Sequence, residues 1–305
     1  MDNTNALVSI CLPVHNGEKY IKLAIDSLIK QDYLNYEIII IDDFSSDKTP
    51  EICKVYFNKY KKIRFYQNNK RLGSTPNMVK TLHLSKGKYF VWASQDDIWE
   101  KDYLSLLVSS IIKKNGILSM CATQVIDINS NFMTKYEFKG KYNPENMTDF
   151  KMAQSILSPV YGKYLKTSIF IHGVIDLVKF KKAINIFPGY FYTERHLLIQ
   201  LALAGKFLYT DRILFYKRIY SDTSRLDGDK HWDRHWYTNI RNFLQILYSI
   251  IFSPIIKPKM KIMAFPIILL YLEFRTKIFI VPKLKKALNK NIYNFLKKLY
   301  YKLKI

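Results

Sequence analysis

Two pairs of adjacent aspartates, Asp42-Asp43 and Asp96-Asp97, each follow an apolar stretch that predicts a buried β-strand. Ionised carboxylates side by side repel each other unless a cation or hydrogen bonds compensate their charge. Carboxylate oxygens suit Mg²⁺ or Mn²⁺, because one or two of them commonly bind such an ion while substrate phosphates complete its coordination. We therefore expect Asp96 and Asp97 to bind Mg²⁺ or Mn²⁺. The alternative is that either residue only caps the helix predicted to begin near Lys101.

A third strand end is also polar, because the apolar residues 7–12 are followed by Pro13, His15, Asn16 and Gly17. Pro, Asn and Gly favour turns, so His15 and Asn16 are expected to project from the carboxyl end of this strand. In a doubly wound sheet such ends converge on one ligand-binding crevice. The sequence contains neither a Gly-x-Gly-x-x-Gly fingerprint nor a phosphate-binding P-loop. A nucleotide would therefore be bound by carboxylates on its base and ribose and by a metal ion on its diphosphate.

The elements that position these residues follow from apolar periodicity. Strands are expected at 7–12, 36–41, 63–66, 89–93, 117–126, 169–174 and 207–218, and helices at 18–31, 49–60, 74–85 and 103–113. A further helix carries Leu197 to Leu203 and ends at Gly205. Strands that alternate with helices in this way predict an α/β fold with a doubly wound, mostly parallel sheet flanked by helices. Residues 129–166 show no clear period.

Short ordered motifs in the first third of the chain carry a resemblance to a known family. They are Pro-Val-His-Asn at 13–16, Tyr20-Ile21, Ser27-Leu28 with Gln31, Glu37 followed by Ile41-Asp42-Asp43 and Ser45, Gly73 with Asn77, and Ser85-x-Gly87. In this order they resemble the family 2 glycosyltransferases, which have the GT-A fold. The likeness runs from about Val8 to Arg225, and it implies transfer of a sugar from a nucleotide donor.

The resemblance implies roles for individual donor-site residues. Pro13 and His15 would line the nucleotide pocket, and Asp43 would hydrogen-bond the base with Asp42 beside it. Arg71 would approach the donor, since a guanidinium group suits a base edge or phosphate oxygens. The alternatives are that Arg71 is a solvated loop arginine and that His15 is only a turn residue. The full set of expected donor-binding residues is Pro13, His15, Asn16, Asp42, Asp43, Arg71, Asn77 and Gln95.

The acidic motif departs from the family pattern. Family members usually have Asp-x-Asp-Asp, whereas Ser94 stands here in the place of the first Asp. Asp96 matches the position that usually contacts the metal, so metal binding is expected to persist without help from a carboxylate at position 94. A subset of the family has the same Ala-Ser-x-Asp-Asp form.

The expected catalytic base is Glu194. Family members carry a Glu-Asp dipeptide whose Asp lies eleven residues before the glycine that ends the following helix, and counting back from Gly205 reaches Glu194. Thr193 replaces the usual Glu. The alternative is a carboxylate that only favours the helix N-terminus through the helix dipole. His172, in the preceding apolar run, is interpreted as a packed polar residue.

The charge of the chain is concentrated at its C-terminal end. The 305 residues carry a formal net charge of +23, and residues 253–305 hold 13 Lys or Arg against one acidic residue, Glu273. From Lys283 onward, apolar residues at helical spacing alternate with lysines, which is typical of a basic amphipathic helix lying on an anionic membrane. The alternative is a helix that packs on the catalytic domain. Uncharged runs in this half are too short to span a bilayer.

The cellular location is predicted from the N-terminus and the cysteines. An acidic N-terminus lacks the positive charge of a signal peptide. The three cysteines, Cys11, Cys53 and Cys121, have no metal-site or disulfide spacing and fit buried thiols of a reducing cytosol. We expect a cytoplasmic protein, peripheral at the inner face of the cytoplasmic membrane.

Two domains are predicted: a GT-A glycosyltransferase domain at 1–227, with a donor half at about 1–126 and an acceptor half at about 127–227, and a helical, basic extension at 228–305. The expected function is inverting transfer of a sugar from a nucleotide-diphosphate sugar to a hydroxyl of a growing, lipid-linked bacterial surface glycan. The partners would be this donor, the glycan acceptor and an anionic membrane surface.

Two other classes of function remain open from the sequence. Ser94 and Thr193 leave room for a catalytically silent partner subunit. The pI of about 9.7 and the many aromatic residues would suit a nucleic-acid-binding protein. The second class is disfavoured because the charge excess lies in the tail rather than in a recognisable binding module, so no nucleic-acid partner is expected.

Overall fold

A computed structural model of the chain describes residues 5–157, 167–184, 194–220 and 236–264. Its centre is a sheet of nine strands among these residues, in the order β3-β2-β1-β4-β8-β6-β9-β5, with β7 paired to β6. The strands are β1 Val8–Val14, β2 Tyr36–Asp42, β3 Ile63–Gln67, β4 Tyr89–Trp92, β5 Ile98–Trp99, β6 Leu118–Ile126, β7 Phe132–Tyr136, β8 Val174–Asp176 and β9 Phe207–Arg218.

The N-terminal half of the sheet is wholly parallel, because β3, β2, β1 and β4 all pair in the same direction. The register aligns Val14 with Asp42 and Asp42 with Gln67, so the carboxyl ends of three strands are level. β4 leaves the ladder earlier, at the pair Cys11 and Trp92. The residues after Trp92 therefore run beside the last residues of β1. They bring the acidic motif to the edge of the sheet at which β1, β2 and β3 end.

The C-terminal half of the sheet is mixed. β8 pairs antiparallel with both β4 and β6, β6 pairs parallel with β9, and the two-residue β5 pairs antiparallel with β9. Because β9 runs parallel to β6 and therefore with β4, its carboxyl end, Lys217-Arg218, lies at the same edge as the acidic motif. The expected α/β fold with a doubly wound sheet flanked by helices is confirmed.

Helices cover both faces of the sheet, and the alternation of buried residues along each strand explains why. In β1, Val8, Ile10 and Leu12 pack in the apolar cluster that contains α1, α2 and α4, whereas Cys11 packs in the cluster of the opposite face. The helices are α1 Ile21–Ile29, α2 Thr49–Lys59, α3 Ser74–Leu84, α4 Tyr103–Lys114, α5 Asp149–Leu157, α6 Leu177–Ile184, α7 Glu194–Ala204, α8 Trp236–Phe252 and α9 at 258–264.

The strand expected at 169–174 is wrong. Thr167–His172 is a 3₁₀ helix, and the strand is confined to Val174–Asp176. A short buried apolar run has no period that separates a helix from a strand. Gly173 makes the change of direction possible, because a Cβ there would lie 2.6 Å from the carbonyl oxygen of Ser119. Four further elements were not predicted from the sequence: the two-residue strand β5, the strand β7, whose residues are mostly exposed, and the helices α5 and α6.

The three cysteines are buried thiols, as expected, and burial raises the pKa of Cys11 to about 11 and of Cys53 and Cys121 to about 12.

In the described part of the C-terminal extension, Ile246 and Ile250 of α8 join the apolar cluster beside α7.

None of the helices in the described ranges is both long and apolar enough to cross a membrane. The amphipathic helix expected from Lys283 onward lies outside the described residues, and the boundary of the two predicted domains at residue 227 does as well.

Candidate functional site

Asp43 follows β2 directly, and its buried carboxylate binds the loop that precedes α3. Oδ1 accepts hydrogen bonds from the backbone N–H of Leu72 at 2.8 Å and from Nδ2 of Asn68 at 2.9 Å, and Oδ2 accepts from the backbone N–H of Gly73 at 2.8 Å. Burial raises the pKa of Asp43, but these hydrogen bonds and the nearby His15 outweigh burial, so the net shift is downward. Asp43 is therefore an ionised anchor for this loop, and its contact with a nucleobase stays a prediction.

Asp42 and Asn77 are buried beneath the same edge. Oδ2 of Asp42 accepts from the backbone N–H of Ser45 and from Nε2 of Gln67, each at 3.1 Å. The Ser45 hydroxyl donates to Oδ1 of Asp42. Asn77 donates from Nδ2 to the carbonyl oxygen of Ile41 at 2.9 Å. Both side chains thus hold the end of β2 in place through hydrogen bonds. A direct contact of either side chain with the donor stays a prediction.

Gln95 and His15 join the ends of β4 and β1. The backbone N–H of His15 donates to Oε1 of Gln95 at 2.8 Å, and Nε2 of Gln95 donates back to the His15 carbonyl at 3.1 Å. Gly17 leaves room for this amide, since a Cβ there would lie 2.8 Å from Cδ of Gln95. Nδ1 of His15 also lies 3.0 Å from the carbonyl oxygen of Asp43. The structure therefore brings together three of the expected donor-site residues.

The other expected donor-binding residues lie around this junction. Asn16 has a left-handed backbone with φ 47°, and its Oδ1 accepts from the backbone N–H of Ser46 at 2.9 Å. Pro13 is half-buried near the end of β1. Arg71 is exposed in the loop that Asp43 anchors, and it forms no hydrogen bond or ion pair with any residue of the described ranges. Its guanidinium group is thus available for a ligand, and its role stays a prediction.

Asp97 is buried, and Asp96 beside it is partly exposed. Oδ1 of Asp97 accepts from the backbone N–H of Arg218 at 2.8 Å, and Oδ2 has no partner among the described residues. Burial raises the pKa of Asp97 to about 6, with Lys217 acting to lower it and Asp96 to raise it. The expected alternative, that Asp96 or Asp97 caps the following helix, is wrong, because Asp102 occupies the N-cap position of α4.

Arg218, which the sequence analysis placed only in a strand, fixes the backbone of the acidic motif. Its Nε donates to the carbonyl oxygen of Asp96 at 3.0 Å. Its Nη1 donates to the carbonyl oxygen of Asp127 at 2.8 Å and to Oγ of Ser130 at 3.0 Å. The guanidinium group also lies 4.4 Å from the ring centre of Tyr20. The closing strand β9 therefore binds the acidic motif through both its backbone and its side chain.

Lys217 is a second residue at this edge for which the sequence predicted no role. Its Nζ lies 2.9 Å from Nε2 of His172, whose Nδ1 lies 3.1 Å from the carbonyl oxygen of Trp92 at the end of β4. Burial and the charge of Lys217 lower the pKa of His172 to about 3. The only signal in the sequence was a basic pair at the carboxyl end of a predicted strand. The role of this basic pair could not be inferred from the sequence, because it depends on the edge of the sheet at which the strand ends.

Glu194 begins α7, and it is exposed to solvent. Desolvation by the neighbouring protein raises the pKa of Glu194, while Lys217 and Arg195 act in the opposite direction. A raised carboxyl pKa suits a group that accepts and releases a proton near neutral pH. The charge of Lys217 acts on both Asp97 and Glu194, so both carboxyl groups lie within electrostatic range of this lysine. A common cleft that holds the acidic motif and the expected base stays a prediction. Thr193 lies outside the described residues.

The acidic motif offers a limited set of metal ligands. The described residues contain no cluster of three or more His, Cys, Asp or Glu side chains that could bind a metal ion. The carboxylate of Asp96 is partly exposed and makes no hydrogen bond with the described residues, so it fits a single protein ligand completed by phosphate oxygens and water. Asp97 is already bound to Arg218, and its role as a second ligand stays a prediction.

A family profile described as "Glycosyl transferase family 2" matches residues 9–175, which is more than half of the chain. The chain belongs to glycosyl transferase family 2, and its fold and the acidic edge of its sheet agree with that membership.

Among curated proteins, the chain is 33% identical over 159 residues to an uncharacterized glycosyltransferase of Rickettsia typhi, a match that covers 51% of this chain and 48% of the relative. It is 32% identical over 124 residues to WfgD of Escherichia coli, named a UDP-Glc:alpha-D-GlcNAc-diphosphoundecaprenol beta-1,3-glucosyltransferase; here 41% of this chain and 48% of WfgD are covered. The matches therefore span about half the length of these curated relatives.

Among solved structures, the chain resembles S. aureus TarS 1–349 in complex with UDP-GlcNAc. The TM-score is 0.62 at 17% identity, and the match covers 93% of this chain and 76% of that chain. The same fragment in complex with UDP gives a TM-score of 0.61 at 16% identity, with the same coverage. At this identity the likeness shows the fold, which is the GT-A fold expected from the sequence.

Proposed function

We propose that this protein transfers a sugar from a nucleoside-diphosphate sugar to a hydroxyl group of a growing, lipid-linked bacterial surface glycan, with inversion at the anomeric carbon. The observation that carries the proposal is that the charge of Lys217 acts on both Asp97 of the acidic motif and Glu194. In this proposal the three carboxylates line one cleft, with Asp96 and Asp97 on the donor side and Glu194 on the acceptor side. Such an arrangement suits a donor held by its diphosphate and an acceptor hydroxyl held beside a carboxylate.

The residues of the cleft have separate tasks in this proposal. The Gln95–His15 junction and the loop anchored by Asp43 form the rigid rim that receives the nucleotide. Asp96 would bind a divalent ion, Mg²⁺ or Mn²⁺, which when present neutralises charge on the diphosphate. Glu194 accepts the proton of the acceptor hydroxyl as the oxygen attacks the anomeric carbon from the side opposite the diphosphate. Attack from that side produces inversion.

A lipid-linked acceptor is supported by the name of the relative WfgD and by an apolar surface on the C-terminal part of the chain. Leu244, Ile251 and Phe252 of α8 are 53%, 49% and 58% exposed, at spacings that place them on one helix face. Lys257 and Lys259 are exposed just beyond this face. Apolar side chains flanked by lysines suit the surface of an anionic membrane, where an acceptor on a lipid carrier would be found.

The transfer reaction is tested with purified full-length protein, a panel of nucleotide sugars, and acceptors built on undecaprenyl diphosphate. We expect one donor to be consumed and one glycan to be extended in the presence of Mn²⁺. Thermal-shift measurements with nucleoside diphosphates identify the donor nucleotide first, because a ligand that binds the folded state raises the melting temperature.

A protein that binds no nucleotide in either measurement would refute the proposal. Nucleotide binding without hydrolysis or transfer would instead favour the silent partner subunit suggested by Ser94 and Thr193.

The membrane part is tested by sedimentation with vesicles that contain phosphatidylglycerol. The variant Leu244→Ser/Ile251→Ser/Phe252→Ser is expected to lose binding. The control Leu34→Ser/Val55→Ser/Phe57→Ser, which removes three exposed apolar residues from the N-terminal half, is expected to keep it. Wild-type protein that does not sediment with these vesicles would remove the membrane from the proposal.

A further inference from the structure

Lys217 has a fixed position because His172 binds its ammonium group. The carbonyl oxygen of Trp92 can only accept a hydrogen bond, so Nδ1 of His172 must carry the ring proton that is donated to it. Nε2 then has a free lone pair, and it accepts from Nζ of Lys217 at 2.9 Å. The chain from Trp92 through His172 to Lys217 thus ties the ammonium group to the carboxyl end of β4.

The ammonium group of Lys217 can form more hydrogen bonds than the described residues give it. It has three N–H donors, and His172 accepts one of them. Within the described ranges no other residue hydrogen-bonds to it, and it forms no ion pair with a described carboxylate. Its positive charge nevertheless acts to lower the pKa of both Asp97 and Glu194. A partly buried cation with two donors that no described residue uses, at the ligand-binding edge of the sheet, is suited to an anionic ligand.

Phosphate oxygens are the anions that this edge is expected to receive. An ammonium group binds them as a compact charge with strong, charge-assisted hydrogen bonds. Ser94 also removes one carboxylate from the usual acidic motif, so the cleft holds fewer negative groups that would compete with a phosphate for Lys217.

We propose that Lys217 binds the diphosphate of the sugar donor and that His172 is the positioning residue that holds its ammonium group there; this inference rests on the proposed function. In the transfer step the bond between the anomeric carbon and the diphosphate oxygen breaks, and its electron pair goes to that oxygen. The acceptor oxygen forms the new bond to the anomeric carbon, and its proton goes to Glu194. Lys217 stabilises the negative charge that develops on the departing diphosphate.

The inference is tested by calorimetric titration of wild type, Lys217→Met and Lys217→Arg with the nucleoside diphosphate that stabilises wild type best, and with the matching nucleoside. Lys217→Met is expected to weaken diphosphate binding by about 10- to 100-fold, the range for a lost hydrogen bond to a charged group, and to leave nucleoside binding unchanged. Lys217→Arg is expected to recover part of the affinity. The control Lys113→Met removes the same charge from the exposed end of α4 and is expected to bind like wild type.

His172 is tested by comparing its Ala and Gln variants. A Gln side chain can donate to the Trp92 carbonyl and accept from Lys217, so His172→Gln is expected to keep most of the turnover number, whereas His172→Ala is expected to lower it with a smaller change in KM for the donor. Circular dichroism checks that each variant folds. If Lys217→Met does not fold, Lys217→Arg and the two His172 variants carry the test.

Equal diphosphate affinity of Lys217→Met and wild type would overturn the inference and leave the proposed function standing. A Lys217→Met variant that loses turnover but keeps the diphosphate affinity of wild type would overturn it as well, because Lys217 would then act on Glu194 or the acceptor. Wild-type protein that binds no nucleoside diphosphate would overturn the proposed function and this inference together.

Discussion

The side-chain amide of Gln95 binds both backbone polar groups of His15, accepting from the N–H at 2.8 Å and donating to the carbonyl at 3.1 Å. These two residues are far apart in sequence but adjacent in the sheet, since each follows the end of a neighbouring parallel strand. The pair of hydrogen bonds replaces the ladder contact that β1 and β4 lose beyond Trp92. It thereby fixes the position of the acidic motif relative to the predicted nucleotide pocket.

The first prediction is that Gln95→Glu loosens this junction. A carboxylate can still accept from the His15 N–H, but it cannot donate to the carbonyl and places negative charge beside it. We expect a loss of about 1–3 kcal/mol in the free energy of unfolding, measured by urea denaturation, and weaker nucleoside diphosphate binding. Gln154→Glu, which makes the same change in α5, serves as the control. Unchanged stability and binding in Gln95→Glu would show that the junction is not needed.

The second prediction concerns Asp43→Asn. The amide can present only one oxygen to three N–H donors, so the loop at Leu72 and Gly73 loses part of its anchor. We expect a loss of about 1–3 kcal/mol in the free energy of unfolding and a lower nucleotide affinity.

The effect of Asp43→Asn should depend on pH in a defined direction. The pKa of Asp43 is lowered in the folded protein, so its stabilisation is fully present above the unfolded-state value of about 3.9 and is lost as the pH falls through the folded value. The difference in unfolding free energy between wild type and Asp43→Asn should therefore be constant above about pH 5 and shrink in more acidic solution. A difference that grows on acidification would contradict the ionised anchor.

The donor half of the fold could be predicted from the sequence because each of its elements has a clear local signal. β2, for example, is an unbroken apolar run between turn residues, and the structure confirms the helices on either side of it with small changes at their ends. The run at Thr167–His172 offered no such signal. Its conformation is set by contacts with β6 and β4, which are remote in the sequence.

The site was predictable in its position but not in its connections. The strand ends that carry Asp43 and Asp96 were identified from local pattern and family resemblance. The backbone N–H groups of Leu72 and Gly73 help to keep the Asp43 carboxyl group ionised. They cannot be recognised from residue types, because almost any residue supplies a backbone N–H. Lys217 reaches the site only through the order of the strands, which a single sequence does not specify.

The third prediction is that Asp96→Ala removes metal-dependent donor binding without harming the fold. Its carboxylate makes no hydrogen bond with the described residues, so its loss should change the melting temperature little. Nucleoside diphosphate titrated in the presence and absence of Mn²⁺ should show a metal-dependent gain in affinity for wild type only.

The comparison for Asp96→Ala is Asp97→Asn, which alters the neighbouring carboxylate. Asp97 is buried and accepts from the Arg218 backbone, so this variant is expected to lower stability. If Asp97→Asn alone abolishes the metal effect and Asp96→Ala retains it, the ligand has been assigned to the wrong residue.

The fourth prediction is that Glu194→Gln keeps the donor bound and stops transfer. Gln preserves the size of the side chain while it removes the basic carboxylate, so a fall of about 10²-fold or more in turnover is expected for a lost general base. Donor affinity should change little, because Glu194 faces the acceptor side of the cleft in the proposed mechanism. The raised pKa of Glu194 also predicts that the acidic limb of the wild-type turnover profile lies above the usual carboxyl value of about 4.3.

The alternative role of Glu194, a favourable charge at the N-terminus of α7, predicts different results for the same variant. In that case Glu194→Gln should cost about 0.3–1 kcal/mol of stability and leave turnover nearly intact. Turnover, donor affinity and melting temperature measured on one preparation therefore separate a base from a helix-terminal charge. A variant with normal stability, normal donor binding and a turnover number close to that of wild type would remove Glu194 from the mechanism, and the acceptor proton would need another route out of the cleft.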